Sequence, residues 1–495
     1  MSAPRTIRTG RLLAAPGHGV GEGASAIHIV DGRIAAIEAV DPATLTAEEA
    51  GLLVMPAPAD AHDHGRGLRT LAFGAVDAPL EEWLPALGRQ PWIDPYACAA
   101  LAFARMAQGG ICAANHCHNL QDGTQLLAEA EAVSRAARDV GIRIAFAMPF
   151  QDRNPYVYGD LDRLLLSLPD ADRPGVIARA KAMCALETDR ALIEAIAALE
   201  HESFTLQYGP VAPQWASHEA LAAVAAASAE TGRRVHMHLL ETERQREWAD
   251  AHYPGGLIPY LDSIGMLSPR LAVAHAVWLR PDECVLLAAR GVTVSINLSS
   301  NLRLRSGMPP LAAIRAAGLA FGIGLDGMSF DDDEDMLREL RLVWHVHARE
   351  PDAMSVAELF DAACRAGRRT ITGDDGGSIV PGAPADLLAL DFAAMTADCV
   401  HDAIDPVAIL LGRMAARHVR RLIVAGRDIV IDGRCVTVDA LALEAAITAA
   451  GRAAFLAARP DDAGIERMQG AVRSFYAAGH HRCGPDEISG AKRSA

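Results

Sequence analysis

LAVAHAVWLRPDECVLLAARGVTVSINLSSNLRLRSGMPPLAAIRAAGLAFGIGLDG, residues 271–327, contains three short apolar runs (271–275, 292–297 and 321–326) separated by segments of helical period such as 281–290. Runs and helices that alternate this tightly imply βα units and a parallel sheet. Toward the N-terminus the pattern continues with runs at 234–238, 204–208, 142–148, 111–115 and 53–58, and with helical stretches at 219–231, 128–139 and 98–108. Eight such units close into a (β/α)8 TIM barrel, whose chemistry lies at the C-terminal ends of the strands.

Both ends of the chain read differently. Residues 26–40, AIHIVDGRIAAIEAV, form two alternating strands around Asp31-Gly32, a hairpin signal, and Thr6-Ile7-Arg8-Thr9 alternates like an edge strand. Near the other end, 387–390 and RRLIVAGRDIVIDGRCVTV (420–438) repeat the style, with turns at Ala425-Gly426 and Asp432-Gly433. The expected organisation is a small composite β domain from both termini (1–55 and 371–440), the barrel at 56–370, and a helical segment with a polar tail at 441–495. In that tail, His480-His481 beside Cys483 reads as an exposed pair rather than a metal site.

The chain has 495 residues, 51% hydrophobic and 22% charged, which excludes a disordered or collagen-like protein. Its formal charge of −16 argues against binding nucleic acid or anionic lipid. Nine scattered cysteines without a CxxC suit a reducing compartment, and neither a signal peptide nor an uninterrupted apolar span is evident, so a cytoplasmic location is expected.

Polar residues mark the predicted strand ends. Strand one runs into Asp60-Ala61-His62-Asp63-His64, where residues i and i+2 face the same way and both imidazoles can meet one ion. Strand five ends His236-Met237-His238-Leu239-Leu240-Glu241, strand six ends at His275 and strand eight at Asp326-Gly327. Imidazoles and a carboxylate converging from separate strands suit a divalent transition metal with an open position for water.

These features, with Asn297-Leu298-Ser299-Ser300-Asn301 and Gly376–Asp391 (GGSIVPGAPADLLALD), resemble the amidohydrolase superfamily, specifically its cytosine-deaminase-like, S-adenosylhomocysteine-deaminase-like and triazine-hydrolase branch, over roughly residues 20–440. The resemblance implies His62, His64, His238 and Asp326 as ligands of one divalent metal, Zn or alternatively Fe(II). It implies Glu241 as the proton shuttle and His275 as the group beside the reactive water, with Asp326 also passing a proton to the leaving amine. Relatives with two metals use a lysine at the end of strand four. No lysine stands near 204–208, since the chain has only Lys181 and Lys492, which favours a mononuclear site.

The implied activity is hydrolytic deamination of an aminated nitrogen heterocycle (pyrimidine, purine, pterin or triazine) to its oxo form with release of ammonia. The resemblance also implies a homo-oligomer. Candidate substrate contacts are Gln214, Trp215, Arg66, His116 and Arg303, and Val211 stands where the family usually has a His. His236 reads as a core residue one layer below His238. The alternatives are a related hydrolase acting on C–Cl or cyclic amide bonds, and a metal-free scaffold. Gly322-Ile323-Gly324-Leu325-Asp326-Gly327 fits GxGxxG, but the acidic run 331–335 behind it would repel a pyrophosphate and reads instead as a favourable helix start.

Overall fold

The structure is a computed structural model that describes residues 4–18, 23–183, 190–348, 353–374, 376–401, 403–458 and 460–483. Eight parallel strands pair in chain order: Ala59–Asp63, Ala113–Cys117, Arg143–Phe150, Phe204–Pro210, Val235–Leu239, Leu271–His275, Thr293–Ile296 and Ala320–Ile323. Beyond the eighth strand the Asp326 amide donates to the His62 carbonyl at 2.8 Å and draws the last unit against the first. This is the expected (β/α)8 barrel.

The glycines of the GxGxxG match have a packing role at this seam. A Cβ on Gly322 would lie 2.7 Å from the Ala61 Cβ, and one on Gly324 would lie 2.4 Å from Asn297 Oδ1 and 2.9 Å from the His62 nitrogen. The acidic run behind them leads into the helix Met336–His347, capped by Asp335, while Asp331 and Asp333 pair with Arg338.

The terminal segments build two further sheets. Arg5–Thr9, at the edge, pairs antiparallel with Ser25–Val30, which continues through the hairpin to Arg33–Ala39. A six-stranded mixed sheet runs Arg434–Cys435, Arg427–Ile431, Val419–Val424, Leu387–Asp391, Leu52–Pro56 and Arg11–Leu12. Ile7, Ile27, Ile29, Val54, Leu387 and Ile423 form a core shared by the two sheets. At Asp31-Gly32, Ala425-Gly426 and Asp432-Gly433 both turn residues have positive φ, as two-residue type I′ hairpins require.

Two expectations are corrected. The run 53–58 is not the first barrel strand: Leu52–Pro56 pairs antiparallel with Leu387–Asp391, and the barrel begins with Ala59–Asp63. Burial on both faces made this sheet strand resemble a barrel strand, whereas the barrel strand itself looks polar because its side chains serve the site. The polar tail is also structured as far as 483. Helix Asp462–Ala477 buries Met468, Val472, Phe475 and Tyr476, and His481 is buried with its Nε2 2.7 Å from Glu247; residues 484–495 lie outside the described residues.

Helix Ala440–Ala458 is long and apolar enough, by length and composition, to cross a membrane, and its buried residues are Ile447 and Gly451. It lies on the barrel through Ile447, which packs with Ile93 and Leu101, and its Glu444 pairs with Arg105 at 3.0 Å. The eight described cysteines are all free.

Candidate active site at the barrel mouth

The strand ends bring the sequence-predicted metal ligands together. His62 Nε2 lies 3.0 Å and His64 Nε2 3.1 Å from Asp326 Oδ1, and His64 Nε2 lies 3.3 Å from His238 Nε2. Tetrahedral Zn with bonds of about 2.0–2.1 Å spaces its ligand atoms by roughly 3.3 Å. The tautomers agree with a cation among them. His64 Nδ1 donates to the Cys117 carbonyl at 2.9 Å and His238 Nδ1 to the Val211 carbonyl at 2.8 Å. Each neutral ring therefore turns an Nε2 lone pair toward the other, an arrangement that is repulsive until a cation separates them.

Burial holds these imidazoles neutral. Desolvation lowers the pKa of His64 and brings those of His62 and His238 well below the ordinary histidine value. Burial raises the Asp326 pKa, but its close contacts with His62 Nε2 and His64 Nε2 outweigh it and hold the carboxyl well below its usual range. The donor set is thus three neutral nitrogens and one carboxylate, ready to bind a divalent ion.

Glu241 and His275 face the same centre. His275 Nε2 is 3.8 Å from Glu241 Oε2 and 4.0 Å from Asp326 Oδ2. Desolvation pushes Glu241 up to about 7, against the lowering effect of His275. A carboxyl with that proton affinity can both accept and return a proton near neutrality.

The supporting residues come largely from one segment. After strand seven, the short helix Leu298–Arg303 carries Ser300, whose hydroxyl donates to Asp326 Oδ2 at 2.5 Å, and Asn301, whose Oδ1 accepts from His275 Nδ1 at 3.0 Å. Just beyond it, the Ser306 hydroxyl donates to Glu241 Oε1 at 3.1 Å. For Ser300, Asn301 and Ser306 the signal in the sequence is a cluster of polar residues just after a strand end. His236 is buried in the core as expected, and its Nε2, 2.7 Å from His62 Nδ1, also fixes the orientation of that ring.

The candidate substrate contacts divide. Arg303 is removed from the set: Asp77 and Asp332 hold its guanidinium at 3.0 and 2.5 Å, and it also donates to the Ser329 carbonyl, so its charge and geometry are committed to the fold. His116 is tied to His118 at 3.1 Å, which in turn reaches Glu129 at 2.8 Å, in a chain beneath the loop after strand one. Gln214 and Trp215 are buried beyond strand four, with Gln214 Nε2 and Trp215 Nε1 unpartnered, and the Trp215 ring meets Tyr158 edge-on at 5.6 Å. Arg66 lies over the Trp83 ring at 5.5 Å, and its Nε is buried without a partner.

A parallel-stranded barrel with three imidazoles and a carboxylate gathered at its C-terminal mouth defines the class of barrels built to hold a divalent metal there. The amidohydrolase family model matches residues 53–429, and the chain belongs to that family. It is 30% identical over 436 residues to a 5-methylthioadenosine/S-adenosylhomocysteine deaminase of Nitratidesulfovibrio vulgaris, covering 85% of this chain and 90% of the relative. A 5′-deoxyadenosine deaminase of Methanothermobacter thermautotrophicus is 28% identical over 351 residues, 69% of this chain and 74% of the relative. Among solved structures, a zinc-bound adenosine deaminase from Xanthomonas campestris superposes with a TM-score of 0.73 at 24% identity, covering 91% of this chain and 98% of that one.

Proposed function

We propose that this protein is a metal-dependent hydrolytic deaminase that replaces the exocyclic amine of a nitrogen heterocycle with an oxo group and releases ammonia. The observation that carries the reading is the convergence of His62, His64, His238 and Asp326 with Glu241 and His275 on the same side. Similarity to deaminases of adenosine derivatives supports the reaction type and puts such compounds first among substrates.

His62, His64, His238 and Asp326 are the residues that would hold one divalent ion, Zn first; when bound, such an ion lowers the pKa of water to about 7 and supplies a nucleophile. Glu241 takes the proton from the attacking water and delivers it to the ring nitrogen beside the amidine carbon. His275, its Nδ1 fixed by Asn301, presents Nε2 to the oxygen at the tetrahedral carbon. Asp326 passes the second proton to the amine as the C–N bond breaks, and Ser300 fixes the orientation of that carboxylate.

The candidate substrate contacts follow the ends of strands one and four. Gln214 Nε2, Trp215 Nε1 and Arg66 Nε are buried N–H donors without partners, which favours a ring presenting acceptor atoms. Val211 offers no imidazole, so a contact implied by the family resemblance is replaced here. The decisive experiment loads the purified protein with Zn and measures ammonia release from adenosine derivatives and other amino-purines, pyrimidines, pterins and triazines. Release from one ring class establishes the reaction. Silence across the panel with metal bound overturns it in favour of C–Cl or cyclic-amide hydrolysis.

A further inference from the structure

Strand two ends at Cys117, whose sulfur is, among the described residues, the one cysteine donor grouped with the imidazoles of the candidate metal centre. Ligand atoms of Cys117, His64 and His238 all lie within 4.8 Å of one another, as do those of the separate group His62, His238, His275 and Asp326. The two groups share only His238. Cys117 also fixes the neighbouring ring, because its carbonyl accepts from His64 Nδ1 and so leaves the His64 Nε2 lone pair facing the site. Cys117 is buried, 7% exposed.

We propose that Cys117, His64 and His238 form an alternative, three-donor position for a thiophilic divalent cation, mutually exclusive with the hydrolytic position. His64 and His238 each have a single free lone pair, since both Nδ1 atoms are engaged with carbonyls, so one ion at a time can use them. An ion drawn toward sulfur takes the His64 and His238 lone pairs that the hydrolytic position also needs. Soft ions gain most from a thiolate, whereas His and carboxylate donors suit Zn and Fe(II). On binding, the sulfur–metal bond forms as the Sγ–H proton leaves to solvent, and no oxidation state changes.

The inference rests on the metal-centre reading for its two shared histidines, but its test is optical and independent of deamination. The metal-free full chain is titrated with Cd2+, and thiolate-to-cadmium charge-transfer absorption is followed in the ultraviolet for the wild type, Cys117→Ser and Cys117→Ala. The expected result is a band that saturates at one equivalent in the wild type and is lost in both variants. Cadmium NMR of the wild type provides a reading that needs no variant: one sulfur and two nitrogens shift the resonance downfield of an all-nitrogen-and-oxygen site. With the Zn-loaded protein, inhibition by Cd2+ weakens by roughly tenfold or more in Cys117→Ser. Absence of the band with cadmium bound, a band unchanged in the variants, or a cadmium resonance typical of nitrogen and oxygen donors alone would overturn the proposal.

Discussion

His275 and Asp326 have φ of 70° and 63°, left-handed conformations that cost a non-glycine residue about 1–3 kcal/mol each. The surrounding hydrogen bonds hold both there: Asp326 donates its amide to the His62 carbonyl, while Asn301 and Ser300 take the two side chains. Removing one such support should leave the fold intact and loosen the site. For Ser300→Ala we expect metal affinity to fall about 10–100-fold, measured by competition with a chelator, with unchanged circular dichroism. Glu241→Gln tests the proton route instead. It should keep one metal per chain and lose about 10²–10⁴-fold in kcat, and a variant with wild-type turnover would remove Glu241 from the mechanism. The histidines and acids at strand ends were legible in the sequence because imidazole and carboxylate are conspicuous where apolar strands terminate. His236 was not, because alternation shows that it shares a face with His238 but cannot show that His62, 174 residues away, waits for its ring nitrogen.

At the level of elements, periodicity located the strands and helices of the barrel but could not decide what Leu52–Pro56 pairs with, since a strand buried on both faces has the same sequence in either sheet. The C-terminal helix Asp462–Ala477 was hidden for the opposite reason. Its buried residues are few and stand among polar ones, yet they reach the segment after strand three: the Tyr158 amide donates to Tyr476 Oη at 3.1 Å, Tyr158 packs on Trp215, and the Tyr158 hydroxyl donates to Glu81. Phe475, 1% exposed, packs where a Cβ on Gly159 would lie 3.2 Å from its ring. Phe475→Ala should therefore cost about 3–5 kcal/mol in denaturant titration. A loss below about 1 kcal/mol would show that this helix is a loose appendage and carries no support toward Trp215.

For the molecule as a whole, what matters is how the terminal sheets are fastened to the barrel. Asp386, next to the sheet strand Leu387–Asp391, accepts from Arg143 at 2.6 Å, from Arg368 at 2.5 Å and from the Ala425 amide at 2.7 Å. Arg143 opens barrel strand three, and Arg368 lies on the helix Gly367–Thr372, whose Thr370 binds Asn115 and Gln207 of strands two and four. This junction thus sits at the strands' N-terminal side, across the barrel from the candidate metal ligands, where residues serve stability rather than chemistry. Burial raises the Asp386 pKa, but the charges of Arg143 and Arg368 prevail and hold it below the ordinary aspartate value. A depressed carboxylate pKa contributes stability above the unfolded value of about 3.9, and that contribution is lost as pH falls through the lower folded value. Asp386→Asn removes the charge that faces the part-buried Arg143 and the buried Arg368, which keeps Asp374 as a partner, and should cost about 1–3 kcal/mol at pH 7. The gap between variant and wild type should narrow as the solution is acidified below about pH 3.9, because protonating Asp386 in the wild type removes the same charge. Denaturant titrations of both proteins from neutral to acidic pH test this. A difference that stayed constant down to the acid limit would mean that the loss came from packing, and that the charge of Asp386 does not fasten the sheets to the barrel.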